Sequence, residues 1–491
     1  MKILDQIKIL IISIIGLNID RVSSWQSQSS KSRPNIIFIL ADDLGWNDVG
    51  FHGNDLISTP NIDALAYSGV ILNNYYVQPL CTPSRGAFLT GMYPIHTGLQ
   101  HHVILATSPY GLPLKFTLFP HYLKGLGYST RLVGKWHLGH FRKEYTPTFR
   151  DFDSHYGYWT GVIDYFNYTD AFETGGSPGY DFRRDMKIEY PKIGTYATDL
   201  FTDESVKIIN QHDRSKPLFL FLSHLATHVG NPGTPLQAPE EAIQRFSHIE
   251  DESRRIFAAM LWKLDESVGR VIKALEVNNI QNSQCGKEEV RGSACVWSPL
   301  LNNPGRVSME MMHMTDWFPT LYHAAGGPES ALPKMDGKNV WDSIQGNSPS
   351  PRNEILLNID PVFNGASIRV DDWKLLYNPY DINYLGPELN TWFGSSERDF
   401  SGNEYLTSKK NHFKNVENSL AGKIVQKLMP NIFQDIHIIN KKAENRLQFY
   451  NSTAIPPGNK PEDPRGNPSN WNNTWTNWCD YIDQNSNSCV V

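Results

Sequence analysis

The sequence has no excess of positive charge. Its 491 residues include 45 Lys and Arg against 51 Asp and Glu, which gives a formal net charge of −6. A nucleic-acid-binding surface needs clustered positive charge to neutralise phosphates, so the composition argues against a nucleic-acid partner. With 40% hydrophobic and 20% charged residues, the chain has the proportions of a globular protein and is not disordered throughout.

Long hydrophobic runs are absent as well. An apolar stretch at residues 7–17 follows Lys2 and gives way to polar residues at Asn18. It is too short to cross the roughly 30 Å hydrocarbon core of a bilayer, and its charged start is typical of a secretory signal peptide. We therefore predict a signal peptide at residues 1–23, with an amphipathic helix of the mature chain as the alternative, and no stable membrane span.

Cysteine is scarce, with five in the chain. An odd number in an oxidising compartment leaves at least one thiol unpaired or chemically special. Cys285 could pair with Cys295, and Cys479 with Cys489, which would leave Cys81. Three acceptor sequons for N-glycosylation fit the same compartment, and they begin at Asn167, Asn451 and Asn472.

Continuous apolar runs predict strands that are buried on both faces. The first run covers residues 36–40, and similar runs lie at residues 132–133 and 218–222. Such runs are typical of parallel strands covered by helices. Apolar residues at spacings of three and four from Phe257 to Leu275 predict an amphipathic helix. This alternation indicates an α/β fold with a large, mostly parallel sheet flanked by helices.

The character of the sequence changes near residue 345. Pro349 and Pro351 mark a boundary, and the apolar runs at residues 368–370 and 373–377 enclose two Asp residues, as in a hairpin. Residues 455–478 are rich in Pro, Asn and Trp. We predict one large domain over residues 33–345. A smaller C-terminal antiparallel β domain with an extended tail would cover residues 346–491.

Two carboxylates follow the first predicted strand directly. In open α/β sheets, functional sites form beyond the carboxyl ends of the strands, and this is where Asp42 and Asp43 lie. Adjacent carboxylates repel each other and suit a hard cation such as Ca²⁺ or Mg²⁺. A solvated Asp-Asp turn is the alternative.

Nitrogen-bearing side chains follow two other predicted strands. Lys135 and His137 come after the strand at residues 131–134, and His224 and His228 come after the strand at residues 218–222. A lone His is more often structural than catalytic. Polar groups at three strand ends favour a site at one edge of the sheet.

Cys81 lies at the predicted start of a helix. Pro83 suits the first turn, and apolar residues continue the helix. Backbone N–H groups at this end favour an anion, and Arg85 adds positive charge. The pattern indicates an activated thiolate beside an oxyanion site. A buried or disulfide-bonded Cys is the alternative.

This segment resembles the signature of the sulfatase family. The pattern C-x-P-x-R at residues 81–85 is followed by Leu-Thr-Gly at residues 89–91. Residues 41–45 and 134–139 match the family in order and spacing, and the resemblance runs from Arg33 to the tail. It implies an alkaline-phosphatase-like fold and hydrolysis of sulfate esters. The segments at residues 235–239 and 358–361 resemble the arylsulfatase B group, the N-acetylgalactosamine-4-sulfatases.

The resemblance implies two cofactors. Cys81 would be oxidised to formylglycine by the formylglycine-generating enzyme in the endoplasmic reticulum and would act as the nucleophile after hydration of its aldehyde. Calcium would be bound by Asp42, Asp43 and the modified Cys81. The family also implies a lysosomal or secreted protein whose substrate is a sulfated sugar or an aryl sulfate.

The resemblance also implies roles for the cationic and imidazole side chains. Arg85 would steady the formylglycine, and His137 would assist proton transfer. Lys135 and His228 would bind the sulfate oxygens. Fixed cations of this kind stabilise the charge that develops on a departing oxygen.

The chain departs from the family after the long helix. Family members have a hydrophobic strand there that ends in Asp-Asn-Gly and supplies two more calcium ligands, followed by a Lys that contacts sulfate. No Asp-Asn dipeptide occurs in this sequence, and the residues from Val277 lead almost directly to Ala294–Trp297. Relative to the family, a segment near residues 280–290 is therefore lacking, and Lys287 is a poor substitute for the family Lys. We predict weak calcium binding, an exposed gap in the sheet and impaired catalysis.

Three functions remain open at this point. The first is a sulfatase of the arylsulfatase B type that removes sulfate from glycosaminoglycan-like sugars. The second is a catalytically silent, sulfatase-like glycan-binding protein, or a truncated isoform. A splice variant or an error in the gene model would explain the missing segment. The third is a related phosphoesterase, which the Cys81 signature disfavours because that enzyme would use Ser or Thr as its nucleophile.

Overall fold

The computed structural model describes residues 33–171, 178–190, 193–278, 283–287, 291–377, 432–482 and 489. For residues 279–290, 376–377 and 432–440 no side chain is described. The predicted signal peptide at residues 1–23 lies outside the described residues. The division into domains at residue 345 stays a prediction.

The strands and helices alternate along the first two thirds of the chain. The strands are β1 Ile36–Ala41, β2 Val70–Tyr76, β3 Ser129–Lys135, β4 Ser154–Tyr158, β5 Thr169–Asp170, β6 Gly179–Tyr180, β7 Arg183–Arg184, β8 Lys187–Ile188, β9 Leu218–Ser223, β10 Ser283–Lys287, β11 Cys295–Trp297, β12 Arg306–His313, β13 Glu354–Asp360, β14 Gly365–Val370 and β15 Trp373–Tyr377. The helices are α1 Pro60–Ser68, α2 Cys81–Thr90, α3 Pro94–Thr97, α4 Phe119–Gly125, α5 Ala197–Gln211, α6 Glu240–Arg245, α7 Glu252–Val277, α8 Trp317–Ala324, α9 Trp341–Gln345 and α10 Ile432–Thr453.

A ten-stranded sheet forms the centre of the described fold. Its order is β12-β2-β11-β10-β1-β9-β3-β4-β7-β8. The five neighbours from β10 to β4 are all parallel, while β11 and β7 introduce antiparallel pairs on either side. The predicted fold class, a large and mostly parallel sheet flanked by helices, is confirmed.

Strand β1 is apolar throughout because both of its faces are covered. Ile37 and Ile39 belong to one buried cluster, which includes residues of α5 and α7. Ile36, Phe38 and Leu40 belong to a second cluster, which includes residues of α2, α4 and α8. Successive side chains of a strand point to opposite faces, so a continuous apolar run is what two-sided packing requires.

The predicted amphipathic helix is α7. Its apolar positions Leu261, Leu264, Val268 and Val271 are buried, and the Asp251 side chain caps the first turn by accepting a hydrogen bond from the Arg254 N–H. An Asp cap satisfies a backbone donor that the helix itself leaves unpaired. The predicted helix, with apolar residues at spacings of three and four, is therefore confirmed.

The predicted gap in the sheet is wrong. Residues 283–287 form strand β10, parallel to β1 on one side and antiparallel to β11 on the other. The sequence of this strand is polar, with Ser, Gln and Lys among its five residues. Backbone hydrogen bonds do not depend on side-chain polarity, so a short polar segment can complete the ladder that a hydrophobic strand would otherwise supply.

The C-terminal part of the chain contains a small antiparallel sheet, as predicted. Its order is β13-β14-β15, and β14 and β15 form the hairpin around residues 371–372. Helix α10 was not predicted, although it contributes Ala443 and Tyr450 to a core shared with the small sheet. Within the described part of the chain, no helix has both the length and the apolar character to cross a membrane.

The interior position of β10 makes a testable prediction. We expect Gln284→Pro to lower the free energy of unfolding by at least about 1–3 kcal/mol, because proline removes a backbone donor from a strand paired on both sides. Gln284→Ala keeps the N–H group and is the matched control. Urea unfolding of both variants measures the difference. Equal urea midpoints for the two variants would contradict the interior position of β10 in the sheet.

Candidate active site

The carboxyl ends of neighbouring parallel strands bring the predicted residues together. Asp42 follows β1, Lys135 ends β3, and Ser223 ends β9, which lies between them in the sheet. The register pairs Leu40 of β1 with Ser223, and Ser223 with Gly134 of β3. These three strand ends therefore form one edge, as the sequence predicted.

The Asp42 carboxylate is the centre of the site. It is fully buried. Its Oδ2 atom lies 2.6 Å from Nζ of Lys135 and 3.6 Å from Nη2 of Arg85. Both cations are also buried, with at most 1% of their side chains exposed. A buried charge is tolerated only where an opposite charge compensates it, so these residues must be arranged together.

Cys81 is the first residue of α2, a helix whose ten residues are all buried. The Cys81 thiol donates to Oδ1 of Asp42 across 3.4 Å. Burial, with the Asp42 charge beside it, raises the pKa of the Cys81 thiol to about 12. The predicted position at a helix start is right, but the predicted activated thiolate is wrong, because desolvation outweighs the effect of the Lys135 and Arg85 charges on the pKa.

Arg85 links the helix to the sheet edge. Its Nη1 group donates to the Lys135 carbonyl oxygen at 3.1 Å and to the Ser223 hydroxyl. Sequence reasoning did not select Ser223. The strand-end rule could have found it, because Ser223 is the polar residue that closes the apolar run of β9.

His137 adopts a left-handed backbone conformation, with φ of 57°. Its Nε2 atom lies 3.1 Å from the Ile104 carbonyl oxygen, which can only accept, so Nε2 carries the ring proton. Nδ1 is then a buried lone pair without a partner among the described residues. Burial and the charges of Lys135 and Arg85 hold the pKa of His137 well below its usual range, which keeps the ring neutral.

The two histidines that follow β9 differ. Nε2 of His228 lies 3.4 Å from Oδ2 of Asp43, and its Nδ1 lies 2.7 Å from the Val229 carbonyl oxygen. His224 instead bonds Ser267 of α7, and burial lowers its pKa to about 3. The prediction that both histidine side chains lie at the site is therefore right for His228 and wrong for His224.

Tyr158 is a second residue that sequence reasoning missed. It ends β4 opposite Lys135. Its hydroxyl is buried without a hydrogen-bond partner among the described residues. Burial, followed by the Asp42 charge, raises the pKa of the phenol well above its usual value. Tyr158 is thus a neutral donor beside the charged centre.

Gly134 explains how β3 delivers Lys135. Its φ is +101°, and a Cβ atom there would lie 1.8 Å from the Ser223 carbonyl oxygen. Only glycine accommodates both the dihedral and the close approach. The motif Gly-Lys-Trp-His therefore starts with a residue that has to be glycine. The backbone conformation at Gly134 sets the direction of the Lys135 side chain.

The described donors do not complete a calcium shell. Calcium prefers six to eight oxygen ligands. The candidate ligands Asp42, Cys81 and His228 each offer one atom, and these atoms lie within 4.8 Å of one another. Two of the three are sulfur and nitrogen. Asp43 adds a carboxylate, but the other oxygen of Asp42 is engaged by Lys135, so oxygen donors are too few among the described residues.

The fold is alkaline-phosphatase-like, with a mixed, mostly parallel central sheet and a small antiparallel sheet later in the chain. The Sulfatase family profile matches residues 34–284. Arylsulfatase J from Mus musculus is 37% identical over 502 aligned positions, which cover 92% of this chain and 81% of that protein. N-acetylgalactosamine-6-sulfatase from Homo sapiens is 28% identical over 63% of this chain and 66% of that protein. The chain therefore belongs to the sulfatase family and is a sulfatase-family hydrolase.

Solved structures agree with this assignment. The protein Ps i-CgsB in complex with k-i-k-neocarrahexaose has a TM-score of 0.63 and 27% identity, over 77% of this chain and 94% of that one. BT4656 in complex with D-glucosamine-2-N,6-O-disulfate has a TM-score of 0.56 and 19% identity, over 82% and 99% of the two chains. The second match shows the fold alone.

The Asp42–Lys135 pair makes a prediction for stability. We expect Asp42→Asn to lower the free energy of unfolding by about 3–5 kcal/mol, because it leaves the buried Lys135 ammonium without full compensation. Adding Lys135→Met should restore part of that loss, since the uncompensated charge is then removed. Urea unfolding of the two single variants and the double variant measures the coupling. Strictly additive losses would rule out the pair as a stabilising unit.

Proposed function

We propose that this chain is a sulfatase of the arylsulfatase B type that acts on sulfated, glycosaminoglycan-like sugars. The single observation that carries the proposal is the buried cluster of Cys81 with Asp42, Lys135 and Arg85. A sulfate monoester is an anion, and two fixed cations at the end of a parallel sheet suit it. The arylsulfatase J and N-acetylgalactosamine-6-sulfatase relatives support the broader class.

Each residue has a proposed role that its contacts support. Lys135 and His228 bind the sulfate oxygens, and Arg85 holds residue 81 in place through the helix. His137 assists proton transfer, because its ring is neutral and its Nδ1 atom has no hydrogen-bond partner among the described residues. With Cys81 converted to formylglycine, residue 81 would supply the hydroxyl nucleophile.

We further propose that catalysis by this chain is impaired relative to sulfatases with the Asp-Asn-Gly segment. The Asp pair and the modified residue 81 are retained, but the sequence has no Asp-Asn dipeptide. Strand β10 restores the backbone ladder without restoring those oxygen donors. A weakly held calcium ion would leave the nucleophile less activated.

The secretory route is also part of the proposal. The Cys479–Cys489 disulfide, one of the two predicted pairings, fits an oxidising compartment. The side chain of Cys285 lies outside the described residues, although the register sets Cys285 opposite Cys295. Exposed side chains support glycosylation at the three sequons, Asn167, Asn451 and Asn472. Lysosomal or secreted localisation follows from these proposals.

Modification of Cys81 is directly testable. We expect protein from a secretory host that has the formylglycine-generating enzyme to yield a Cys81 peptide lacking the thiol and carrying an aldehyde that reacts with hydrazide. Peptide mass spectrometry before and after hydrazide treatment measures this. The Cys295 peptide is the internal control and should keep its cysteine. An alkylatable thiol at Cys81 would refute the proposed nucleophile.

Impairment is tested by restoring the segment. We expect this chain to hydrolyse an aryl sulfate much more slowly than a variant with the family's Asp-Asn-Gly segment inserted after residue 280. Chelation of calcium should abolish the faster turnover of the second protein. Comparable turnover in both would show that the segment is dispensable. Binding of a sulfated sugar with no turnover by either protein would favour the glycan-binding alternative.

A further inference from the structure

We infer that the N-linked glycan on Asn472 packs into a cleft of its own chain and stacks on the ring of Tyr190. The inference rests on the glycosylation of Asn472 proposed above and goes beyond it, because it states where the first sugars of that glycan lie. The residues of the active site take no part in it.

The cleft lies at the attachment point of the proposed glycan. Its volume is about 630 Å³, within the range of about 300–1,000 Å³ that is typical of small-molecule sites. The described lining residues are Thr169, Pro178, Tyr180, Tyr190, Ser469, Asn472, Asn473 and Thr474. Asn472 and Thr474 are the first and last residues of one sequon, and Thr169 is the last residue of another.

The chemistry of the cleft suits an uncharged sugar. Its described lining residues offer hydroxyl, amide and aromatic groups, and none of them is charged. The hydroxyl and amide groups can exchange hydrogen bonds with sugar hydroxyls, and an aromatic ring can cover the apolar face of a sugar. A sulfated sugar would instead need cations such as those of Lys135 and Arg85 in the active site. The cleft therefore favours the neutral core of an N-linked glycan over the proposed substrate.

Tyr180 and Tyr190 form an aromatic platform in this cleft. Their rings are stacked, with centroids 4.7 Å apart and an angle of 25° between the planes. Tyr180 is buried, whereas Tyr190 is 51% exposed. The Tyr180 hydroxyl donates to the carbonyl oxygen of Glu189 at 2.6 Å, which holds the residue before Tyr190 in place. The Tyr190 ring is thus supported by protein and still accessible to a sugar.

Backbone hydrogen bonds hold the attachment point beside this platform. The Tyr180 N–H donates to the Asn473 carbonyl oxygen at 2.8 Å, and the Trp475 N–H donates to the Tyr180 carbonyl oxygen at 3.1 Å. The Thr474 hydroxyl donates to the Asn472 carbonyl oxygen at 3.2 Å. A preorganised attachment point loses little entropy when the first sugars dock. The covalent link also gives the glycan a high effective concentration at the cleft, so a contact too weak to hold a free sugar can hold this one.

Deglycosylation of the folded protein tests the inference. Full-length protein from a secretory host is treated with an endoglycosidase under native conditions, and peptide mass spectrometry follows the release of glycan at each sequon. We expect Tyr190→Ala to accelerate release at Asn472 by at least about fivefold, which corresponds to about 1 kcal/mol of lost protection. Release at Asn451, in the last turn of α10, should not change.

Two further variants serve as controls for the loss of the ring. Tyr190→Phe keeps the aromatic ring and should keep most of the protection at Asn472. Tyr67→Ala removes a tyrosine that is similarly exposed, at 60%, but does not line the cleft. It should release the Asn472 glycan at the rate of the unaltered protein.

Thermal melting separates glycan packing from a structural role of Tyr190. Asn472→Gln removes the glycan. We expect Tyr190→Ala to lower the melting temperature more in the glycosylated protein than in the Asn472→Gln background, because the contact with the glycan is already absent there. The comparison of the four proteins cancels any strain that Asn472→Gln itself introduces.

The possible failures can be told apart. An Asn472 peptide without glycan would refute the proposed glycosylation, and the inference with it. Full occupancy of Asn472 with equal release rates in Tyr190→Ala and the unaltered protein would overturn the inference alone. Equal losses of melting temperature in the two backgrounds would overturn it as well.

Discussion

A single buried carboxylate determines the arrangement of the site. Asp42 is fully buried where it follows strand β1, so its charge is compensated by two cations from β3 and α2. Lys135 reaches it because β3 is one strand removed in the sheet, and Arg85 reaches it because α2 packs against the same edge. The positions of the helix and of Cys81 follow from this electrostatic requirement, since a misplaced partner would leave a charge buried and uncompensated.

The same low-dielectric surroundings shift the pKa values of the neighbouring groups in opposite directions. The Cys81 thiol and the Tyr158 phenol stay protonated because burial disfavours their anions, and His137 stays neutral because burial disfavours its cation. The site thus holds formal charge only on groups that have partners. Cations and neutral donors held in this way would need little rearrangement around the anionic substrate proposed above.

Sequence reasoning predicted the layered fold because two-sided burial leaves a direct signal in runs such as residues 36–40. It placed the Asp pair, Lys135, His137 and His228 because parallel strands deliver their ends to one edge. It placed Cys81 because Pro83 and the apolar residues after it predict a helix start. It placed His224 at the site, whereas its ring bonds Ser267. The alternation of side chains along a strand does not predict the direction of side chains in the loop that follows. It also missed β10 and α10, because backbone pairing and tertiary packing override weak local preference.

The burial of Cys81 imposes an order of events on the protein's biosynthesis. In the finished fold only 6% of this residue is exposed, so a modifying enzyme could not reach its sulfur. The helix that begins there is covered by elements encoded as far along the chain as α8. Any maturation of Cys81 must therefore compete with folding, and a faster-folding variant would end with less of its residue 81 converted.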